Sequence, residues 1–249
     1  MSGHSKWSTI KHKKGAADAK RGKIFTKIIR EITIAARIGG GDINANPRLR
    51  MAVDNAKSNS MPKDNIERAI KKGSGALEGE SYEEVTYEGY GPGGVAILVD
   101  VLTDNKNRTL PEIRHAFSRH NGNLGANGCV AWMFEKKGII EINKTLVSED
   151  KLMELAIDAG ADDIETNDDI FEVIMAPQSM DVVGKAIKDA KIEVISSKLA
   201  MVPKSTVSVG EKDAGTLLKL IETLEDHDDV QNVYANFDIS DDILSRIGE

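Results

Sequence analysis

One cysteine, Cys129, stands in 249 residues, so no disulfide framework can hold this chain together and a cysteine-rich zinc site lacks its ligands. Aromatic residues are only 4% of the sequence, which leaves any core to aliphatic side chains; 40% hydrophobic residues are enough to build one. Long apolar runs are missing too. Runs such as Val95-Ala96-Ile97-Leu98-Val99 are far short of the roughly 20 residues that a membrane span needs. Met1 to Trp7 lacks the apolar stretch of a secretory signal. The expectation is a mature cytoplasmic protein with no membrane segment.

The usual signatures of catalysis are equally scarce. Gly89-Tyr90-Gly91-Pro92-Gly93-Gly94 precedes a strand rather than opening a helix, so it reads as a hairpin turn and not as a phosphate loop. No Ser sits in a Gly-x-Ser-x-Gly elbow. Of five histidines, His115 and His120 share a helix but project about 140° apart, which is not a metal-binding face. Cys129 has no base placed beside it by the sequence and is expected to be a buried structural thiol. The acidic stretches 162–169 and 225–229 lack the alternating ligands and central glycine of a calcium loop, and read as solvated acidic surface. Together these point to a protein that is not an enzyme, with no cofactor, no metal and no small-molecule substrate.

What the chain has is charge, unevenly placed. The net charge is -7, but residues 1–75 hold 17 Lys and Arg against 6 Asp and Glu, a net of +11, while the remainder holds 16 against 34, a net of -18. A basic cluster this dense repels itself unless a polyanion is near, so the asymmetry suggests a nucleic-acid-contacting module joined to an acidic body. Lys6, Lys11, His12, Lys13, Lys14, Lys20, Arg21, Lys23 and Lys27 face a single carboxylate, Asp18, within the first 30 residues, and Trp7 lies among them as a stacking surface.

Periodicity supplies the architecture. Phe25, Ile28, Ile29, Ile32, Ala35 and Ala36 recur at helical spacing up to Gly39-Gly40-Gly41, predicting a helix over 16–38. Lys20, Lys23, Lys27, Arg30 and Arg37 fall on its opposite, basic face. Asn46 and Pro47 announce a second helix, and a third runs from about Pro62 to Gly73. A linker follows to Glu80. Strands over 82–90 and 95–102, a helix over 111–120 and a strand over 130–134 give ββαβ. Residues 138–201 then read as βαββαβ, the ferredoxin-like split arrangement, after which a strand at 206–209, a helix over 214–226 and a strand over 230–237 complete the interrupted domain. The predicted fold is α+β in three domains: a basic three-helix domain over 1–78, a discontinuous α+β domain over 79–134 plus 205–249, and an inserted ferredoxin-like domain over 135–204. The short turn between the second and third helices resembles a helix-turn-helix that would present Lys63, Asn65, Arg68 and Lys72 to duplex DNA. The density of charge in the N-terminal arm suits structured RNA equally well.

Several longer motifs carry a resemblance. Gly3-His4-Ser5-Lys6-Trp7, Lys11-His12-Lys13-Lys14, Asp18-Ala19-Lys20-Arg21-Gly22-Lys23-Ile24-Phe25, Asn44-Ala45-Asn46-Pro47-Arg48-Leu49-Arg50, Met61-Pro62-Lys63-Asp64-Asn65-Ile66 and Tyr87 to Gly94 are similar to the YebC family. So are Asn105-Lys106-Asn107-Arg108-Thr109, Gly122-Asn123-Leu124-Gly125 and Trp132-Met133-Phe134; Cys129 departs from the family's more usual small hydroxyl residue. The resemblance implies a three-domain, non-enzymatic cytoplasmic protein. Members are widely labelled DNA-binding transcriptional regulators; others, including the mitochondrial translational activator of cytochrome oxidase, are associated with translation and with ribosomes stalled on difficult peptides. The partner implied is thus DNA or ribosomal RNA, with the ribosome itself a candidate. Carried onto this chain, the site residues are Lys6, Trp7, Lys11, Lys13, Lys14, Lys20, Arg21, Lys23 and Lys27.

Overall fold

The computed structural model describes residues 17–78, 81–167 and 169–248. They fall into two compact units, divided after Phe134 and after Val202. The chain is α+β, with three helices first and sheets interspersed with helices after them.

In the first unit α1 (Ala17–Gly39), α2 (Pro47–Ser58) and α3 (Lys63–Gly73) close on a core of their own, built from Ile28, Ile32, Ala35, Leu49, Val53, Met61 and Ile66. Asn46 fixes where α2 begins. Its side-chain oxygen accepts from the Leu49 amide at 3.1 Å, and its amide donates to the carbonyls of Ala35 and Gly40 at 2.8 and 2.9 Å, tying the end of α1 to the start of α2. Gly73 ends α3 against α1: a Cβ there would stand 2.2 Å from the Thr33 carbonyl oxygen, so only glycine permits the approach.

The same unit holds an antiparallel sheet in the order β3-β1-β2-β9. Strands β1 (Glu83–Tyr90) and β2 (Ala96–Thr103) pair from Glu83 opposite Thr103 to Tyr90 opposite Ala96, around a turn at Pro92–Gly94 in which Gly93 has φ 75°. Helices α4 (Lys106–Arg119) and α7 (Glu211–Glu225) lie on one face. There Ile113, Phe117, Leu217 and Ile221 pack on Val95, Ile97, Val99 and Val233 of the sheet, β9 being Val230–Ala235. Strands β8 (Val207–Ser208) and β10 (Phe237–Asp238) form a separate parallel pair, and α8 (Asp241–Gly248) closes the chain.

Several local readings give way here. Residues 130–133 are not a strand: Ala131–Met133 is a single turn of 3-10 helix, Phe134 opens the next strand, and the edge strand β3 is Asn123–Leu124, in the segment between the helix and the strand expected there. A two-residue strand has no periodicity to detect. Helix α4 starts five residues earlier than Pro111, because Asn105 is its N-cap, accepting from the Arg108 amide at 3.2 Å, and Pro111 sits inside the helix rather than opening it. The run 230–237 divides at Asn236 between two sheets. There the Asn236 side-chain oxygen accepts from the Ala96 amide at 2.8 Å, holding the break. Helix α8 has too short a pattern to be read.

The second unit has the ferredoxin-like form: β4 (Phe134–Asn143), α5 (Glu149–Asp158), β5 (Asp163–Thr166), β6 (Ile170–Met175), α6 (Met180–Asp189) and β7 (Val194–Pro203), with its sheet ordered β5-β6-β4-β7. Alternate residues Ile140, Ile142, Phe171 and Val173 are buried with Leu152, Ala156, Val183 and Ile187 of the two helices.

Candidate nucleic-acid interface

Of the residues that the sequence nominates, Lys6, Trp7, Lys11, Lys13 and Lys14 lie outside the described residues, and only the backbone of Lys20 and Arg21 is described, within α1. Lys23 and Lys27 have defined positions. Both turn towards the C-terminal end of α7, where the last carbonyls of a helix have no partner within it and carry partial negative charge. Lys23 Nζ donates to the Asp226 carbonyl at 3.0 Å and Lys27 Nζ to that of Glu225 at 2.6 Å. One turn on, Arg30 donates to the Asp228 carbonyl and, at 2.9 Å, to the Asp229 carboxylate, with its guanidinium 5.5 Å from the Tyr82 ring centre. Arg37 completes the row on Ser81 and Tyr82. The basic face of α1 therefore meets the sheet domain over these residues, where the periodicity alone places it towards a ligand.

Asp229 is the hub of that contact. It is 2% exposed, and besides Arg30 its carboxylate accepts from Thr109 at 2.6 Å, Arg108 at 2.8 Å and Thr103 at 3.1 Å. Burial pushes this carboxyl up, but the hydrogen bonds of Thr109 and Arg108 and the charges of both arginines more than offset it, so it is held below the ordinary aspartate value. Within the acidic stretch 225–229, Asp229 corrects the expectation of solvated surface: its carboxylate is buried as the counter-charge of Arg30, while Asp226 and Asp228 are exposed as expected. A cleft of about 570 Å³ opens beside it, lined by Lys23, Arg30 and Arg108 together with Glu112, Asp226 and Asp229. His227 at its edge accepts from the Asp229 amide through Nδ1 at 3.1 Å, which leaves the proton on Nε2, 2.9 Å from Glu112. The cleft's charges already answer one another.

Among the described residues of the three-helix core, the cations that remain open are on α3. Arg68, Lys71 and Lys72 are exposed and, among the described residues, have no side-chain partner, whereas Lys63 pairs with Glu67 at 3.4 Å. Their i, i+3, i+4 spacing puts the three on one strip of helix. The helix-turn-helix reading of the α2–α3 turn raised Arg68 and Lys72, with Lys63 and Asn65, but not Lys71; what the sequence could not tell is that Arg68, Lys71 and Lys72, and not Lys23 and Lys27, keep their charge unspent.

Among the described residues no group of three or more His, Cys, Asp or Glu could hold a metal ion, and no helix is long and apolar enough to cross a membrane. The Cys129 thiol is pushed up by burial and by the nearby Glu88 charge, the reverse of an activated nucleophile.

Comparison with known proteins agrees with this layout. A model described as TACO1/YebC protein N-terminal domain matches residues 5–76, and one described as TACO1/YebC second and third domain matches residues 82–237. A probable transcriptional regulatory protein of Syntrophobacter fumaroxidans is 64% identical over 248 residues, covering 99% of this chain and 100% of that one. Its counterpart in Syntrophus aciditrophicus is 60% identical, with 99% of each chain covered. The crystal structure of a conserved hypothetical protein from Aquifex aeolicus superposes with a TM-score of 0.86 at 48% identity, over 92% of this chain and 95% of that chain.

Proposed function

The chain belongs to the TACO1/YebC family, and from that premise we propose that it is a non-enzymatic, cytoplasmic regulator of gene expression that acts by binding nucleic acid, with DNA as its first candidate target. The observation that carries this reading is the charge division: residues 1–75 with net charge +11 beside a remainder of -18, and on α3 a strip of cations, Arg68, Lys71 and Lys72, with no carboxylate partner among the described residues. Phosphate contacts through such groups provide affinity without sequence information. Lys6, Lys11, Lys13, Lys14, Lys20 and Arg21, with Trp7, add to the positive charge of the same domain in sequence, while the acidic domains set shape and partner contact.

Binding then falls steeply with salt, by close to one unit of log affinity per tenfold in salt for each phosphate engaged. Reversing the charge of Arg68, Lys71 and Lys72 together lowers affinity for DNA by at least about tenfold and flattens that slope, with a modest fall in thermal stability because Lys71 and Lys72 lie in the last turn of α3. An unaltered slope refutes the assignment of α3. Ultraviolet cross-linking in cells then separates the targets: discrete promoter DNA supports transcriptional control, and ribosomal RNA recovered at one locus transfers the same surface to translation.

A further inference from the structure

Trp132 is 64% exposed, and the basic helical domain does not account for it. Leaving a large apolar ring in water forgoes the gain of burying it, and a ring left out by mere tolerance has no reason to be held still. This one is held. Its Nε1–H donates to the Cys129 carbonyl at 3.1 Å, and the same oxygen accepts from the Tyr90 hydroxyl at 3.1 Å. Beneath it the loop is built on a buried carboxylate: Glu88 accepts from the amides of Gly128 at 2.6 Å and of Val130 and Ala131 at 2.8 Å each. Burial raises this carboxyl, and the three N–H groups more than reverse the shift, so Glu88 stays charged with its lone pairs engaged. Gly125 donates to the Glu88 carbonyl at 2.8 Å, and a Cβ on it would lie 2.5 Å from the Cys129 sulfur, so the loop has no slack on that side.

The surroundings are electrostatically unlike the rest of the acidic body. Residues 121–134 and 203–210 contain no Asp or Glu. The Lys204 ammonium donates to the carbonyl of Trp132 itself at 3.1 Å, and the exposed Asn123 and Asn127 flank the loop. A rigid indole, an adjacent cation and side-chain amides, with the Glu88 carboxylate beneath already engaged by three amides, form the combination that takes a nucleobase on the ring and its phosphate on the ammonium. We propose that Trp132, with Lys204, is a stacking site for an unpaired base of single-stranded nucleic acid, a second contact apart from the helical domain. The inference rests on the nucleic-acid reading above. The two contacts are compatible in placement: Glu84, which pairs with Arg48 of α2, and Tyr90, under the indole, lie on the same face of β1, roughly 20 Å apart along the strand.

Because the chain has two tryptophans, Trp7→Phe leaves Trp132 as the only indole. In that background, an oligouridylate of about 12 nucleotides, within the roughly 4–16 that single-strand sites span, is titrated against emission and, separately, anisotropy. Quenching by the single strand and not by a duplex of equal length is expected. Trp132→Ala lowers single-strand affinity about tenfold, Trp132→Phe retains most of it, and Lys204→Ala lowers it less. Binding seen by anisotropy with Trp132 emission unchanged overturns this site and leaves the proposed function standing. Absence of binding to any nucleic acid by the unsubstituted chain, read by anisotropy, overturns both. Emission that shifts with protein concentration alone places a second copy of the chain on the ring and likewise overturns the proposal.

Discussion

Asp229 and Glu172 are both buried carboxylates, 2% and 5% exposed, and their surroundings drive them in opposite directions. Asp229, in the first unit, has two arginines and two hydroxyls around it and is held below the ordinary value. Glu172 lies on the helix-free face of the inserted sheet, directly opposite Glu141 on one neighbouring strand and Glu165 on the other. Burial raises it most; Lys198 and Asn167 pull it down, but the two glutamates add to the rise. Depth alone therefore says nothing about what a carboxylate does for a fold. One joins two parts of the chain, and the other is a local cost that the surrounding β-sheet carries.

The strongest way to break the comparison is to remove the satisfied member. Asp229→Ala leaves Arg30 and Arg108 without their shared acceptor and Thr103 and Thr109 without a common partner. Deleting one side of a buried ion pair costs about 3–5 kcal/mol, read as a lower urea midpoint for the first unit with the inserted domain unaffected. A loss below about 1 kcal/mol would mean that the network is ornamental.

This joint was not legible in the sequence, and the reason is physical. Asp229 meets Arg30 across 199 positions of chain, and a run of acids reads alike whether water or a guanidinium faces it. Features set by neighbours in sequence were legible. Asn46-Pro47 marks the start of α2 because the cap bond spans three residues, and the short apolar runs of β4 and β6 mark the inserted strands because that signal too is local. The basic face of α1 was visible as a periodicity, but its direction was not. Amphipathic spacing states which residues share a face and leaves open whether solvent, ligand or another domain covers it. Trp132 was visible only as part of a motif; its exposure depends on Glu88, 44 residues away.

Glu172→Gln sharpens the comparison with the opposite sign. Removing a charge that faces two like charges across the strands stabilises the inserted domain by about 1 kcal/mol near neutral pH. A raised carboxyl binds its proton more tightly folded than unfolded, so its cost grows as pH rises above the unfolded value of 4.5 and is absent well below it. The lowered Asp229 obeys the other rule: its contribution is present above the unfolded value of 3.8 and is lost as pH falls through the still lower folded one. Hydrogen exchange followed from pH 7 to 3 should show the inserted domain gaining protection first and the first unit losing it only at the acid end. Glu172→Gln should erase the former change and leave the latter. Simultaneous weakening of both units would contradict the assignment.

The smallest effect tests the division of labour among the cations. Lys27 donates to a carbonyl in the last turn of α7, and a cation near a helix C-terminus contributes about 0.3–1 kcal/mol. Lys27→Ala should therefore lower the stability of the first unit by that amount, while affinity for nucleic acid changes far less than in the α3 charge reversal. If Lys27→Ala instead costs binding and no stability, α1 releases its basic face to the ligand, and the carbonyls of α7 hold that face only until a phosphate displaces them. The two outcomes differ in which measurement moves, so one variant, assayed both by denaturation and by binding at two salt concentrations, decides whether the contact between α1 and the sheet domain is permanent structure or a site held in reserve.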